Sequence, residues 1–348
     1  MIDLLRSTAS SLHAGEDLIL ASILDSKGST PRSAGSAMTI HRDGHITGTV
    51  GGGIVEEQVR RAGVKMFDAG KRAAQILEFD FSNSKAAISD MICGGWVSVL
   101  LEHIPAEAAE EQLIQDALTE LRQGRPAILL DKLSADSSTN EHKGLLTADA
   151  LPDWAGLTAE QSAELTNSIS EAIRPLVFST ESGSLVARCF HPLPSLFIFG
   201  GGHVSRPTAK LAASIGFRTV VMDDRKDFAN RERFPEADEV LVLDAFKNAF
   251  EGLPVREDSF IVIVTRGHLH DKTVLAQALR TPAKYIGMIG SKKKRDAIYA
   301  ALLKEGFTQA DIDRCHCPIG LSIGAQTPEE IAVSINAELI ADRAGVSL

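Results

Sequence analysis

The chain has 348 residues, 44% of them hydrophobic, and its 36 Lys and Arg stand against 46 Asp and Glu for a formal charge of −10. That length holds two domains and a connecting region, and the acidic balance argues against a general nucleic-acid binder. No apolar run approaches the ~18 residues of a spanning helix. Residues 1–14, with Asp3, Arg6 and His13, lack the apolar core of a secretion signal, so a cytoplasmic protein is expected.

The first region is taken as residues 1–104. Leu18–Leu24 reads as a strand, and Ala37–His41 and His45–Val50 flank the hairpin signal Asp43-Gly44. Gly51-Gly52-Gly53 leads into a helix with Val55, Val59, Ala62 and Met66 on one face and Gly70 as its C-cap. Leu77, Phe79 and Phe81 alternate with charged residues as on a half-buried strand, and Trp96–Leu101 reads as a closing strand. Residues 105–194 are expected to be a connector with little chemistry of its own. It holds a helix over Ala106–Gln123, a strand over Ala127–Leu130, a polar loop over Leu133–Lys143, and a small hairpin of Leu176–Ser179 and Leu185–Cys189.

In residues 195–348, a strand at Ser195–Phe199 runs into Gly200-Gly201-Gly202-His203-Val204-Ser205. A helix follows to Gly216, then a second strand, Phe217–Met222, ending at the acids Asp223-Asp224. This is the order of a dinucleotide-binding unit: a glycine turn, a helix N-terminus for pyrophosphate, and an acid for ribose hydroxyls. Ser205 replaces the third glycine, and the two acids argue against a 2′-phosphate although Arg225 is adjacent. Further strands at Glu239–Leu243, Phe260–Val264 and Tyr285–Ile289 alternate with helical runs, which implies a parallel α/β sheet. Thr327, Pro328 and Glu330 form a capping box that opens the last helix.

Several other motifs carry chemistry, each with a plain structural alternative. Gly51-Gly52-Gly53 offers backbone N–H groups to an anion, whereas Glu56 and Glu57 would repel one; the alternative is a tight strand-to-helix connection. In Gly28-Ser29-Thr30-Pro31-Arg32, the arginine suits a phosphate or simply sits exposed on a turn. Cys93-Gly94-Gly95 would let a ligand approach a thiol that contacts a soft metal or accepts sulfur. Composition alone favours a buried, inert cysteine there. Thr265-Arg266-Gly267-His268-Leu269-His270-Asp271 follows a sheet strand; the histidines remain open between metal binding and proton transfer, and Asp271 is read as the cap of a helix over Lys272–Leu279. Gly290-Ser291-Lys292-Lys293-Lys294-Arg295 is read as an anion site in preference to a solvated basic face. Cys93, Cys189, Cys315 and Cys317 make no disulfide framework, and Cys315-His316-Cys317 lacks structural-zinc spacing.

Taken in order, these motifs resemble the XdhC/CoxI family of accessory proteins for molybdenum hydroxylases such as xanthine dehydrogenase. The resemblance rests on Gly28–Arg32, Gly35, Met38, Asp43-Gly44, Gly51–Gly53 with Glu56, and Met91–Gly95. In the second half it rests on Gly200–His203, Asp223–Arg225, Thr265–His268, Gly290-Ser291, Pro318–Gly324 and Thr327–Ile331. It implies an N-terminal α/β XdhC/CoxI-type domain plus a C-terminal Rossmann-like doubly wound parallel sheet. It also implies a homodimeric cofactor chaperone rather than a catalyst. Such a protein binds molybdenum cofactor (molybdopterin), assists its sulfuration with a cysteine desulfurase-type sulfur donor, and delivers it to an apo-hydroxylase. Arg32 and Cys93 are the residues that would receive the phosphate and the soft, metal-bearing end. Many relatives carry cysteine after the triple glycine, where this chain has Ile54. The alternative function is an NAD(P)-dependent oxidoreductase working from the Gly200 turn with His268 as acid or base, and another nucleotide in that pocket is equally open.

Overall fold

The chain opens with a helix, α1 (Ile2–His13), whose Ile2, Leu5, Ala9 and Leu12 are buried, a helical stripe left unassigned from sequence. In the computed structural model the described residues are 2–28, 32, 34–80, 95–146, 151–168 and 174–346. They fall into two units, Met1–Pro192 and Leu193–Leu348. Among the described residues no helix is long and apolar enough to cross a membrane.

The first unit continues with β1 (Leu18–Lys27), β2 (Ala37–Ile40), β3 (Ile46–Gly48), α2 (Gly53–Met66), β4 (Ala74–Asp80), β5 (Trp96–Ile104), α3 (Ala108–Arg122), β6 (Ala127–Leu133), β7 (Asn140–Leu146), α4 (Ala159–Ser168), β8 (Leu176–Thr180) and β9 (Gly183–Phe190). Two antiparallel sheets result, ordered β3-β2-β1-β5-β4 and β7-β6-β9-β8. Period-2 alternation sends Ile19, Ala21, Ile23, Val97 and Val99 to one face of the first sheet, against Val55, Val59 and Met66 of α2. The other face meets the second sheet, where Leu24, Ala74 and Leu100 pack on Leu133 and Val186.

Three local expectations change here. Helix α2 stops at Met66 with Phe67 as its cap; Gly70, at φ 105°, instead turns the loop beyond it. Phe81 lies outside the described residues. The polar stretch after Leu133 is a loop only to Thr139, closed by Asp136, which accepts from Ser134 Oγ and Ser138 Oγ at 2.7 Å each. From Asn140 onward the chain is strand, because Asn140 and Lys143 turn their polar heads onto buried carboxylates rather than to water. The stretch 105–194, expected to be a connector, thus includes a whole sheet of the first unit, which ends at Pro192.

The second unit comprises β10 (Ser195–Phe199), α5 (Ser205–Ser214), β11 (Arg218–Asp223), β12 (Glu239–Val242), β13 (Phe260–Ile263), α6 (His268–Ala278), β14 (Tyr285–Met288), α7 (Lys292–Lys304), α8 (Gln309–Asp313), β15 (Cys315–His316) and α9 (Pro328–Arg343). All six strands are parallel, in the order β12-β11-β10-β13-β14-β15. Counted within the unit this is 3-2-1-4-5-6, the doubly wound dinucleotide-binding order. Phe197, Phe199, Ile261 and Ile263 pack on Val274, Leu275, Ile298 and Leu302 of α6 and α7, while Leu196, Ile198 and Val262 pack on Ala209, Ala212, Ile335 and Leu339 of α5 and α9. The central strands β10, β11, β13 and β14 are buried on both faces, which explains their continuous apolar runs, whereas the edge strand β12 is half-exposed. The capping box of α9 forms as expected, with Glu330 N–H on Thr327 Oγ1 at 3.2 Å and Thr327 N–H on Glu330 Oε2 at 3.1 Å.

Candidate functional site

Strand order reverses between β10 and β13, the place where sheets of this kind hold ligands in a crevice between the loops at their carboxyl edge. The chain turns sharply at Gly200, whose φ of 112° excludes side chains. A Cβ there would meet Val264 O at 2.4 Å, so the loops after β10 and β13 touch. A Cβ on Gly201 would strike Phe228 O at 2.5 Å, whereas one on Gly202 would meet nothing within 4 Å. Gly202 is therefore the point of the turn where a ligand can reach backbone, just before the N-terminus of α5. Ser205, in the position of the third glycine, is fully buried and donates its hydroxyl to Gly200 O. His203 and His268 are both exposed near this edge.

The acids at the end of β11 are not open to a ribose in the way the sequence suggests. Asp223 is 1% exposed. Its Oδ2 accepts the Gly201 N–H (2.8 Å) and Arg225 Nη2 (2.9 Å), and its Oδ1 accepts Arg225 Nε (2.8 Å). Asp224 takes both terminal nitrogens of Arg266, and this contact holds its carboxyl below the usual range. With each acid matched by an arginine, the expected repulsion of a phosphate at this end is largely cancelled. Arg225 lies 3.6 Å above the Phe228 ring.

Asp271 does not cap a helix. Helix α6 begins at His268, one turn earlier than expected, with Gly267 as N-cap. Asp271 is fully buried, accepts Thr265 N–H (3.1 Å) and Thr265 Oγ1 (2.6 Å), and pairs with Lys294. Lys294 also donates to Ile289 O at 3.2 Å, so it ties α6 to α7. Of the basic run, Lys292 and Lys293 remain exposed beside Gly290 and Ser291, whose hydroxyl caps α7. His270 packs on the Phe246 ring at 5.1 Å between centroids.

In the first unit, topology gathers three of the sequence motifs at one end of the first sheet. Lys27 pairs with Trp96, so Gly28, where the chain leaves β1, faces Gly95, where it enters β5. β3 ends at that same end, and Gly51–Gly53 follows it. The triple-glycine turn is already filled: Glu56 folds back from the first turn of α2 and accepts Thr49 Oγ1, Val50 N–H (3.3 Å) and Gly52 N–H (3.2 Å). The carboxylate expected to repel an anion takes its place. Arg32 is exposed, while Ser29, Cys93 and Gly94 lie outside the described residues.

Sequence reasoning missed a charged layer between the two sheets of this unit. Arg188 (3% exposed) pairs with Glu102 and Asp131, both fully buried; Lys143 also pairs with Asp131 and lies 3.5 Å from Glu102. Asn140 Nδ2 bridges the carboxylates at 2.7 and 2.9 Å. Burial alone would disfavour the charged forms, but Arg188 and Lys143 outweigh it and hold Asp131 far below the usual range. The available signal was ionisable residues inside three largely apolar strands: Glu102 and His103 in β5, Asp131 and Lys132 in β6, and Arg188 in β9. The cavity beside this layer, lined by Leu20, Leu129, Glu110, Arg188 and Cys189 among others, is about 30 Å³, room for one or two waters and far too small for a pterin. Burial pushes the Cys189 thiol up to about 11 and the Cys315 thiol up to about 12, so neither is a ready nucleophile at neutral pH. Among the described residues no three His, Cys, Asp or Glu side chains converge as metal ligands.

Two family descriptions match the chain, the XdhC and CoxI family over residues 11–80 and the XdhC Rossmann domain over residues 196–339. The chain is 26% identical to a probable xanthine dehydrogenase subunit of Bacillus subtilis, over 97% of this chain and 96% of that one. It is 20% identical to the molybdenum cofactor insertion chaperone PaoD of Escherichia coli, over 98% and 88%. It is also 26% identical to Escherichia coli YqeB over 92% of its length, but spans only 42% of that protein. A crystal structure described as a xanthine dehydrogenase from Bacillus halodurans superposes with a TM-score of 0.79 at 28% identity, covering 99% of this chain and 96% of that one. The chain belongs to the XdhC and CoxI family.

Proposed function

We propose that the protein is a maturation factor for a xanthine dehydrogenase-type molybdenum hydroxylase: it binds molybdenum cofactor, assists its sulfuration, and hands it to the apo-enzyme. The observation that carries this reading is its likeness, along nearly the whole chain, to a protein named for inserting that cofactor. The end of the first sheet where Gly28 and Gly95 face each other is the proposed cargo site, with Arg32 for the phosphate and Cys93 for the metal or its sulfur. The Gly51–Gly53 turn serves in this proposal as a rigid wall rather than as the anion cradle, since Glu56 already fills it. Sulfur would come from a cysteine desulfurase-type donor, and the working form would be a cytoplasmic homodimer that carries its cargo without turning it over.

An anoxic equilibrium titration of the purified protein with molybdenum cofactor tests this. Saturable, stoichiometric binding that Arg32→Ala weakens is expected, as is loss of cofactor sulfuration with Cys93→Ser. No binding by the parent protein would remove the proposal, and full sulfuration by the Cys93 variant would remove the sulfur role alone.

The crevice of the second unit supports a further site, for a nucleotide. The 3-2-1-4-5-6 strand order and the open approach to Gly202 favour it. An NAD(P)-dependent oxidoreductase is the less favoured use of this site, because the whole-chain likeness is to a protein named for inserting a cofactor. Titration with NADH and NADPH separates the two uses: binding with turnover of a carbonyl or alcohol substrate would move the protein to that class.

A further inference from the structure

The loops at the carboxyl edge of the parallel sheet are coupled. β10 lies between β11 and β13, so the glycine turn after β10 is flanked by the segments that follow its neighbours. Those flanking segments hold each other: Arg266, after β13, donates Nη1 and Nη2 to the two oxygens of Asp224, after β11, with Nη2–Oδ2 at 2.8 Å. The partners are 42 residues apart and join the two sides of the turn. Their side chains are 38% and 16% exposed, so the pair can open without stranding a charge in an apolar interior. Asp223 differs, being buried and held from two directions, which leaves Asp224 as the acid that opening would release.

We infer that the Arg266–Asp224 pair is a ligand-operated strap and that it selects a nucleoside diphosphate moiety. The pyrophosphate, seated on the Gly202 turn and the start of α5, takes the Arg266 fork; Asp224, set free, accepts the ribose hydroxyls. This rests on the nucleotide reading of the crevice proposed above. A guanidinium fork fits phosphate oxygens as well as carboxylate oxygens, so the exchange keeps Arg266 bidentate throughout. A vicinal diol supplies two O–H donors in place of the two N–H donors that Asp224 loses when Arg266 leaves. Neither half of the ligand completes the exchange alone. Pyrophosphate by itself leaves Asp224 with Arg225 alone, 3.9 Å away, and a nucleoside by itself must displace Arg266 into water. The strap therefore makes the two halves of a nucleoside diphosphate bind cooperatively and rejects ligands that carry one half only.

The test is calorimetric titration of the full chain with ADP, inorganic pyrophosphate and adenosine, for the parent protein and for Arg266→Gln, Arg266→Lys and Asp224→Asn. Arg266→Gln should weaken ADP and pyrophosphate about tenfold to a hundredfold, and Arg266→Lys, which keeps the charge but not the fork, by less. Asp224→Asn removes the internal competitor, so pyrophosphate should bind several-fold tighter while the advantage of ADP over pyrophosphate shrinks. Unchanged pyrophosphate affinity in Asp224→Asn, or unchanged ADP affinity in Arg266→Gln, would overturn the strap. A parent protein that binds neither ADP nor pyrophosphate would overturn the nucleotide reading beneath it and leave the molybdenum-cofactor proposal standing. Melting temperatures near that of the parent are expected for all three variants, because both side chains reach solvent.

Discussion

Two glycine-rich turns, each between a strand and a helix, stand at equivalent places in the two units and have opposite fates. In the first unit Gly51–Gly53 leads into α2, and Glu56 bends back to accept the N–H groups of Val50 and Gly52. In the second, Gly200–Gly202 leads into α5, whose first turn, Ser205-Arg206-Pro207-Thr208, contains no acid; a Cβ would meet open space at Gly202 as it would at Gly52 and Gly53, so the difference lies in the carboxylate that the helix brings. A glycine turn before a helix is thus an anion site only when the helix does not bring its own anion. The same contrast runs through the charges. Those of the first unit are sealed between two sheets, with Arg188 and Lys143 facing Glu102 and Asp131. The pairs at the crevice lie at a sheet edge that solvent reaches.

The largest expected effect falls on the sealed layer. Arg188→Met leaves two buried carboxylates short of a partner and should cost about 3–5 kcal/mol. Both tryptophans, Trp96 and Trp154, belong to the first unit, so urea denaturation followed by tryptophan fluorescence reads that unit selectively. A loss under ~1 kcal/mol would mean the layer is more hydrated than its burial implies. The same layer sets a pH dependence. Because the folded protein holds the Asp131 carboxyl below its unfolded value, its contribution is present above about pH 4 and is lost as pH falls through the folded pKa. The acid limb of stability should therefore be shallower in Arg188→Met than in the parent.

The second prediction separates fold from ligand approach within one turn. Gly200→Ala meets both a positive φ and the Val264 carbonyl, and should cost about 1–3 kcal/mol in the second unit, read as faster amide exchange in β10 and β13. Gly202→Ala, two residues on, should change stability by less than ~1 kcal/mol and instead weaken ADP binding. Equal stability losses at the two positions would erase the distinction between hinge and approach point. A smaller effect than at Arg188 or Gly200 is expected at the filled turn: Glu56→Gln should cost about 1 kcal/mol, the scale of a lost helix-capping carboxylate. The variant should also gain measurable phosphate affinity at Gly51–Gly53; if it gains none, Glu56 is not what closes the turn.

Much of the second unit is legible in the chain. The order strand, Gly200 turn, helix, strand and acid, together with buried strands of continuous apolar residues, leaves few topologies for a parallel sheet. Less of the first unit is legible. Helix α1 escapes a sequence reading because its stripe is shared among Ile2, Leu5, Ala9 and Leu12 amid serines, and β7 reads as loop because Asn140 and Lys143 look like surface residues. Asp271 reads as a cap because Asp often caps; its fully buried carboxylate answers Lys294, 23 positions later in the sequence.

The sequence by itself determined the family motifs, the α/β class and the positions of both glycine turns, since periodicity and turn chemistry are local. Tertiary structure decided which turn keeps its N–H groups free of a helix carboxylate, which acid can exchange partners, and that Asp131, Asn140, Lys143 and Arg188 close a sealed ionic layer on Glu102. Those are questions of which charges meet, and the partners, Arg188 with Glu102 and Arg266 with Asp224, are separated by dozens of residues that only the folded sheets bring within hydrogen-bonding reach.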